Sequence, residues 1–202
     1  MRLLKGLHVH VPRTAGNTVR ITIGSCLHLF AHDPVSNIIK RFEPQQWDQL
    51  YKFGVVRNPW DRAYSAYILH NYMRQDRRSK YRSDLDWQRE DFHKWLHSTE
   101  KEGNWYSELS PEKLYTIDGR CPLDHVYKFE DGVTWNIRHM ASVLDCELPL
   151  GKIGKHKHGN LPRHDYRQVI TEETDRDYIG RVGAWEIERF GYRFEGDGIN
   201  WS

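Results

Sequence analysis

The densest run of anion-binding chemistry in this sequence is Val11-Pro12-Arg13-Thr14-Ala15-Gly16-Asn17-Thr18-Val19. The small residues Ala15 and Gly16 let a backbone close around a bound oxyanion. Thr14 and Thr18 add hydroxyl donors, and Arg13 adds a permanent charge on a fork of N–H groups. Such a run matters most where a strand turns into a helix, because the first amides of a helix lack partners and its dipole favours an anion there. The pattern GxxxxGK[ST] of an ATP- or GTP-binding loop is absent, which removes most support for a nucleotide hydrolase or kinase. A second run, Arg57-Asn58-Pro59-Trp60-Asp61-Arg62-Ala63-Tyr64-Ser65, offers an arginine and a serine that can share one phosphate, charge from the first and a hydroxyl from the second. The plain alternatives are a glycine-containing turn for the first run and an Arg57–Asp61 ion pair for the second. Among twelve histidines, His32 in His32-Asp33-Pro34 is the candidate general base, with His28 and His70 as competitors.

The elements that would position these groups follow from periodicity. Leu7, Val9 and Val11 alternate with His8 and His10, so residues 5–11 read as a strand. Val19, Ile23, Leu27 and Phe30 share a helical face, which predicts a helix from Thr18 to Phe30. Residues 43–50 suit a short helix, and Phe53 to Val56 a short apolar strand of the buried parallel kind. Trp60 to Tyr72 and residues 90–98 read as helices, with a polar, arginine-rich surface excursion over 73–90. Val126 to Phe129 predicts a third strand, Val133 to Leu144 a helix, residues 147–164 a basic loop, and Glu172 to Phe190 a last helix. Strands alternating with helices predict an α/β fold of three layers, a central and mainly parallel sheet flanked by helices. Arg57 then lies at the carboxyl end of a buried strand, where open α/β sheets bind their ligands.

Taken together, the two runs resemble the motifs of the PAPS-dependent sulfotransferase superfamily, whose donor is 3′-phosphoadenosine-5′-phosphosulfate. Pro12 to Thr18 is similar to its 5′-phosphosulfate loop, written PKTGGTS or PKTAGTS, and Arg57 to Ser65 to its 3′-phosphate motif, RNPxDRxxS. Trp47 to Phe53 resembles the WDxYFKF approach of the carbohydrate-type branch. Val126 to Asp131 and Glu188 to Tyr192 resemble later family segments, so the likeness spans roughly residues 7–72 and 124–194. The resemblance implies a P-loop-like fold. It assigns Arg13, Thr14, Ala15, Gly16, Asn17 and Thr18 to the phosphosulfate, and Arg57 and Ser65 to the 3′-phosphate. Arg13 and His32 would be catalytic, the first stabilising the leaving phosphate and the second deprotonating the acceptor hydroxyl; the branch has a similar histidine at this place. Glu130 would serve instead for an amine acceptor. Two departures stand out. The family's loop lysine is Arg13, which keeps the charge but cannot give up a proton, and its usual threonine is Asn17.

The implied activity is transfer of a sulfuryl group from PAPS to a hydroxyl or amine of a small-molecule or glycan acceptor, with 3′-phosphoadenosine-5′-phosphate as product. The competing readings are a non-catalytic anion- or glycan-binding module and, with less support, a nucleotide-dependent kinase. One domain over residues 1–202 is expected, with 73–123 as an insertion on the acceptor side. A formal net charge of +2 implies no global field for nucleic acid or membrane. Lys152, Lys155, His156, Lys157, His158 and Arg163 crowd one loop that can cover phosphates, meet an anionic acceptor, or simply face solvent. His156 and His158 lack neighbouring ligands at suitable spacing, so no metal is expected. Cys26, Cys121 and Cys146 are odd in number and widely spaced, so no disulfide framework is expected, although one bridge is left open. With no apolar run long enough to span a membrane and no leader pattern at Met1-Arg2-Leu3-Leu4, a cytoplasmic location is expected.

Overall fold

A computed structural model describes residues 4–74, 84–100, 105–148 and 163–196. In chain order the elements are β1 (Gly6–Val9), α1 (Gly16–Ile23), β2 (Leu27–Phe30), α2 (Val35–Ile38), α3 (Pro44–Gln49), β3 (Tyr51–Val56), α4 (Pro59–Arg74) and α5 (Leu85–Glu100). There follow α6 (Trp105–Glu108), α7 (Pro111–Tyr115), β4 (His125–Lys128), α8 (Val133–Val143), α9 (Tyr166–Val169), α10 (Glu173–Val182) and α11 (Ala184–Phe190). They fall into two compact units, one of residues 1–57 and 111–159 and one of residues 58–110 and 160–202.

The first unit holds a four-stranded sheet of order β2-β1-β3-β4 with every pairing parallel. Helices α1 and α8 pack together, as do α2 and α7. The expected α/β architecture with a parallel sheet flanked by helices is what the chain adopts. One sheet face carries His8, Phe53 and Tyr127, with His8 stacked on Phe53 at 5.1 Å between ring centres. Gly54 leaves room on the sheet for the Tyr115 ring of α7, against which a Cβ would press. The Tyr115 hydroxyl accepts from the Val55 amide and donates to the Val55 carbonyl, both at 2.9 Å. It thereby satisfies backbone groups of β3 beyond the last β1 pairing, His8 with Phe53.

One expectation is corrected here, and the single bridge that the sequence left open is present. The helix expected from Thr18 to Phe30 stops at Ile23, and Leu27 to Phe30 become the edge strand β2 against β1. Cys26 and Cys146 form a disulfide, a single bridge between residues 120 apart, while Cys121 is unbridged.

The second unit is helical. Asn58 caps α4: its side-chain oxygen accepts from the amides of Trp60 at 3.1 Å and Asp61 at 3.3 Å, and Pro59 occupies the first helical position. Around α4 lies an aromatic core that includes Tyr64, Tyr67, Phe92, Trp95, Tyr106 and Tyr178. Arg62 is fully buried within it, lying over the Tyr106 ring at 4.2 Å and 3.7 Å from the equally buried Glu186 carboxylate. Helix α5 begins at Leu85, inside the stretch expected to be an excursion. Asp84 caps it by accepting from the Trp87 amide at 2.8 Å. The last helix is split into α10 and α11 at Gly183, where a Cβ would stand 2.7 Å from Pro59 Cβ.

Candidate functional site

A parallel sheet sends the carboxyl ends of all its strands to one edge. Here that edge carries the loop after β1, His32 after β2, Arg57 after β3 and Glu130 after β4. The chain leaves β1, forms β2 on one side of it, then returns to form β3 on the other side. The strand order therefore reverses between β1 and β3, which is where open α/β sheets form a ligand crevice.

The loop after β1 has an unusual backbone. Arg13 and Ala15 both adopt left-handed conformations, with φ of 69° and 65°, and Thr14 between them does not. For residues with a Cβ, each costs roughly 1–2 kcal/mol. Residues of alternating hand turn successive amides toward one side and make an anion-binding concavity. Thr14 is fully buried and its hydroxyl donates to the Val11 carbonyl at 2.8 Å, so it braces the loop. Ala15 begins α1: its carbonyl accepts from the amides of Thr18 at 2.9 Å and Val19 at 3.1 Å. Gly16 and Asn17 supply amides of the first turn, for which a helix has no acceptor. Thr18 is buried and Asn17 is exposed.

Gly16 answers a close approach. The His10 imidazole lies where a Cβ on Gly16 would stand. Burial, reinforced by the charges of His32 and Arg20, pushes His10 down to about 4, so it is neutral at physiological pH. His8, one strand step earlier, is pushed down to about 3 by burial and then by His10. Its Nε2 is buried without a hydrogen-bond partner among the described residues. Neither ring was a sequence candidate. Their alternation with Leu7, Val9 and Val11 marked a strand, and only the fold brings His10 against the loop.

His32 is exposed and packs its ring 4.6 Å from that of His10. Its Nδ1 is 3.0 Å from the His10 carbonyl. A carbonyl only accepts, so Nδ1 carries the proton and, in the neutral ring, Nε2 is the basic nitrogen.

Arg57 is almost wholly buried. Its Nη1 donates to the Arg13 carbonyl at 3.1 Å, and its guanidinium lies 4.3 Å over the Phe129 ring. This bond bridges the reversal point between β1 and β3. The first unit thus brings together the loop residues 13–18, Arg57 and His32 along one edge. Ser65 belongs to the second unit, where it is buried on α4. There too Asp61 forms an ion pair with Arg163. Lys152, Lys155, His156, Lys157 and His158 of the expected basic loop lie outside the described residues, as does most of the arginine-rich run from Arg74 to Arg82. No helix among the described residues is long and apolar enough to cross a membrane.

Compared with family models, curated proteins and solved structures, the chain finds no match.

Proposed function

We propose that the chain is a sulfotransferase that takes a sulfuryl group from PAPS to a hydroxyl or amine acceptor, a carbohydrate being the acceptor class favoured by the resemblance. The observation that carries this reading is the strained loop from Arg13 to Thr18 closing on the start of α1, with Arg57 bonded to its backbone. The left-handed Arg13 and Ala15 in one short loop at the start of α1 support reading it as an amide cradle for a phosphate or sulfate end.

PAPS supplies an activated sulfuryl group on a phosphate leaving group. In this reading the loop amides and Arg13 hold the 5′-phosphosulfate and meet the charge that develops on the leaving phosphate. Arg57 takes the 3′-phosphate, the group that separates this donor from ATP. The Nε2 of His32 accepts the proton of the acceptor hydroxyl as its oxygen bonds to sulfur and the sulfur–oxygen bond to phosphate breaks. Catalysis would rest on positioning and fixed charge, as in phosphoryl transfer. Arg13 in place of lysine keeps the charge and gives up proton donation, which favours the second reading, an anion-binding module without turnover.

The Cys26–Cys146 bridge bears on location, because disulfides persist in oxidising compartments. It weighs against the cytoplasmic expectation, and we favour an oxidising compartment.

The test is calorimetric titration with 3′-phosphoadenosine-5′-phosphate against AMP and ATP, repeated with Arg57→Ala. The reading expects selective binding of the 3′-phosphorylated nucleotide and a loss of at least about 10-fold in the variant, the scale of one charge-assisted hydrogen bond. No preference over AMP and ATP overturns it. Selective binding with no sulfuryl transfer to any hydroxyl or amine acceptor leaves the non-catalytic module.

A further inference from the structure

The second unit holds a group of side chains that the proposed chemistry does not use. His93 and His97 lie four residues apart on α5, and that spacing puts two side chains on one face of a helix. Asp175, in the first turn of α10, is only 1% exposed. His93 Nδ1 and His97 Nε2 each stand 2.8 Å from the same atom, Asp175 Oδ1. The three ligand atoms all lie within 4.8 Å of one another.

We propose that His93, His97 and Asp175 form a binding site for a divalent transition metal of the zinc class. Two imidazoles and one carboxylate are a donor set that zinc takes, with metal–ligand bonds of about 2.0–2.2 Å. Tetrahedral ligands at that range stand about 3.4 Å apart. The two N···O separations therefore need to open by only about half an ångström, from 2.8 Å. The charge balance agrees. A buried carboxylate needs compensation; the two imidazoles each offer it an N–H, and a dication neutralises it outright.

Binding also requires that each imidazole present a lone pair inward. In the neutral rings this moves the proton to the outer nitrogen, His93 Nε2 and His97 Nδ1. Those sides can release it, since the His93 side chain is 45% exposed and that of His97 30%. Among the described residues α5 and α10 supply three ligands, which leaves a fourth tetrahedral position to water, and the ion would tie the two helices together. Imidazole suits zinc, copper and nickel, whereas magnesium and calcium prefer oxygen donors, so the site discriminates against the latter pair. The sequence carried half of this signal, His-x-x-x-His on a helix. Its third ligand lies 78 residues beyond His97.

The experiment is titration of the chelator-treated full-length protein with zinc by calorimetry, and with cobalt(II) by visible absorption. Wild-type, His93→Ala, Asp175→Asn and a His156→Ala/His158→Ala variant are compared. We expect one zinc per chain, cobalt bands of a four-coordinate nitrogen–oxygen site, and a rise in melting temperature on zinc addition. Removing a direct ligand should cost at least about 100-fold in affinity, beyond the 10- to 100-fold of an outer-shell change. The His156→Ala/His158→Ala variant should bind like wild type. Should Asp175→Asn fail to fold, His93→Ala decides, because that side chain is nearly half exposed. Zinc affinity unchanged in His93→Ala, binding that disappears only in the His156→Ala/His158→Ala variant, or no binding at all overturns the proposal.

Discussion

Substituting Gly16 by alanine puts a methyl group where the His10 imidazole already stands. The two cannot coexist, so the ring must leave its place between the loop and His32, whose Nδ1 is held by the His10 carbonyl at 3.0 Å. Forcing a methyl into a packed site costs about 1–3 kcal/mol. Alanine in place of a helical glycine returns at most about 1 kcal/mol. With the full return, the net loss is about 0–2 kcal/mol, which for a chain of this size lowers the melting temperature by up to roughly 8 °C. Urea denaturation of wild type, Gly16→Ala, His10→Ala and the double variant closes a thermodynamic cycle. His10→Ala alone leaves a cavity. In the double variant the new methyl enters that space, so the two changes should couple favourably by about 1 kcal/mol or more. Binding of 3′-phosphoadenosine-5′-phosphate should weaken in Gly16→Ala and recover in part in the double variant. Strictly additive energies in the cycle would refute the steric reasoning.

Two further outcomes follow from the first unit. Reducing the Cys26–Cys146 bridge releases a loop of 120 residues. The chain-entropy relation puts its contribution at up to about 5 kcal/mol, with about 2–4 typical, so the urea midpoint should fall on adding reductant, and an unmoved midpoint would contradict the bridge. Acid should also destabilise the unit. His8 and His10 take protons at about 6.5 when unfolded but only at about 3 and 4 when folded, so their stabilising contribution is complete above pH 6.5 and is lost as pH falls toward those values. Each contributes a slope of about 1.4 kcal/mol per pH unit in that window. The unfolding free energy of His8→Leu should fall less steeply between pH 6 and pH 4 than that of wild type, and parallel profiles would show that His8 does not carry the effect.

What the sequence disclosed was local, and what it withheld depended on distant partners. β1, β3, β4 and α8 were legible because each carries its own period and its own stop signals, such as Asn58-Pro59 after β3. β2 was misread because Leu27 and Phe30 happen to extend the Val19–Ile23 helical face. A run as short as Leu27-His28-Leu29-Phe30 cannot choose between helix and strand by itself, and the pairing offered by the edge of β1 decides it. The break at Gly183 was invisible for a similar reason, since the Pro59 ring that demands a glycine there is far away in sequence. Asp84 is a readable cap before Leu85, but the polar stretch around it hides the start of α5.

The candidate site divides along the same line. Residue types at positions 13–18 suggest an anion loop, and the left-handed backbone of Arg13 and Ala15, two positive-φ residues in one short loop, is an independent reason to look there. The loop's neighbours could not be read. His10 fills the space over Gly16 because α1 folds back after the loop, and its carbonyl fixes which nitrogen of His32 is basic because β2 lies beside β1. The misread strand is therefore also the element that delivers the proposed base. Had Leu27 to Phe30 continued α1, His32 would have followed a helix rather than an edge strand paired to β1, and no parallel pairing would have carried it to the edge where the loop and Arg57 meet.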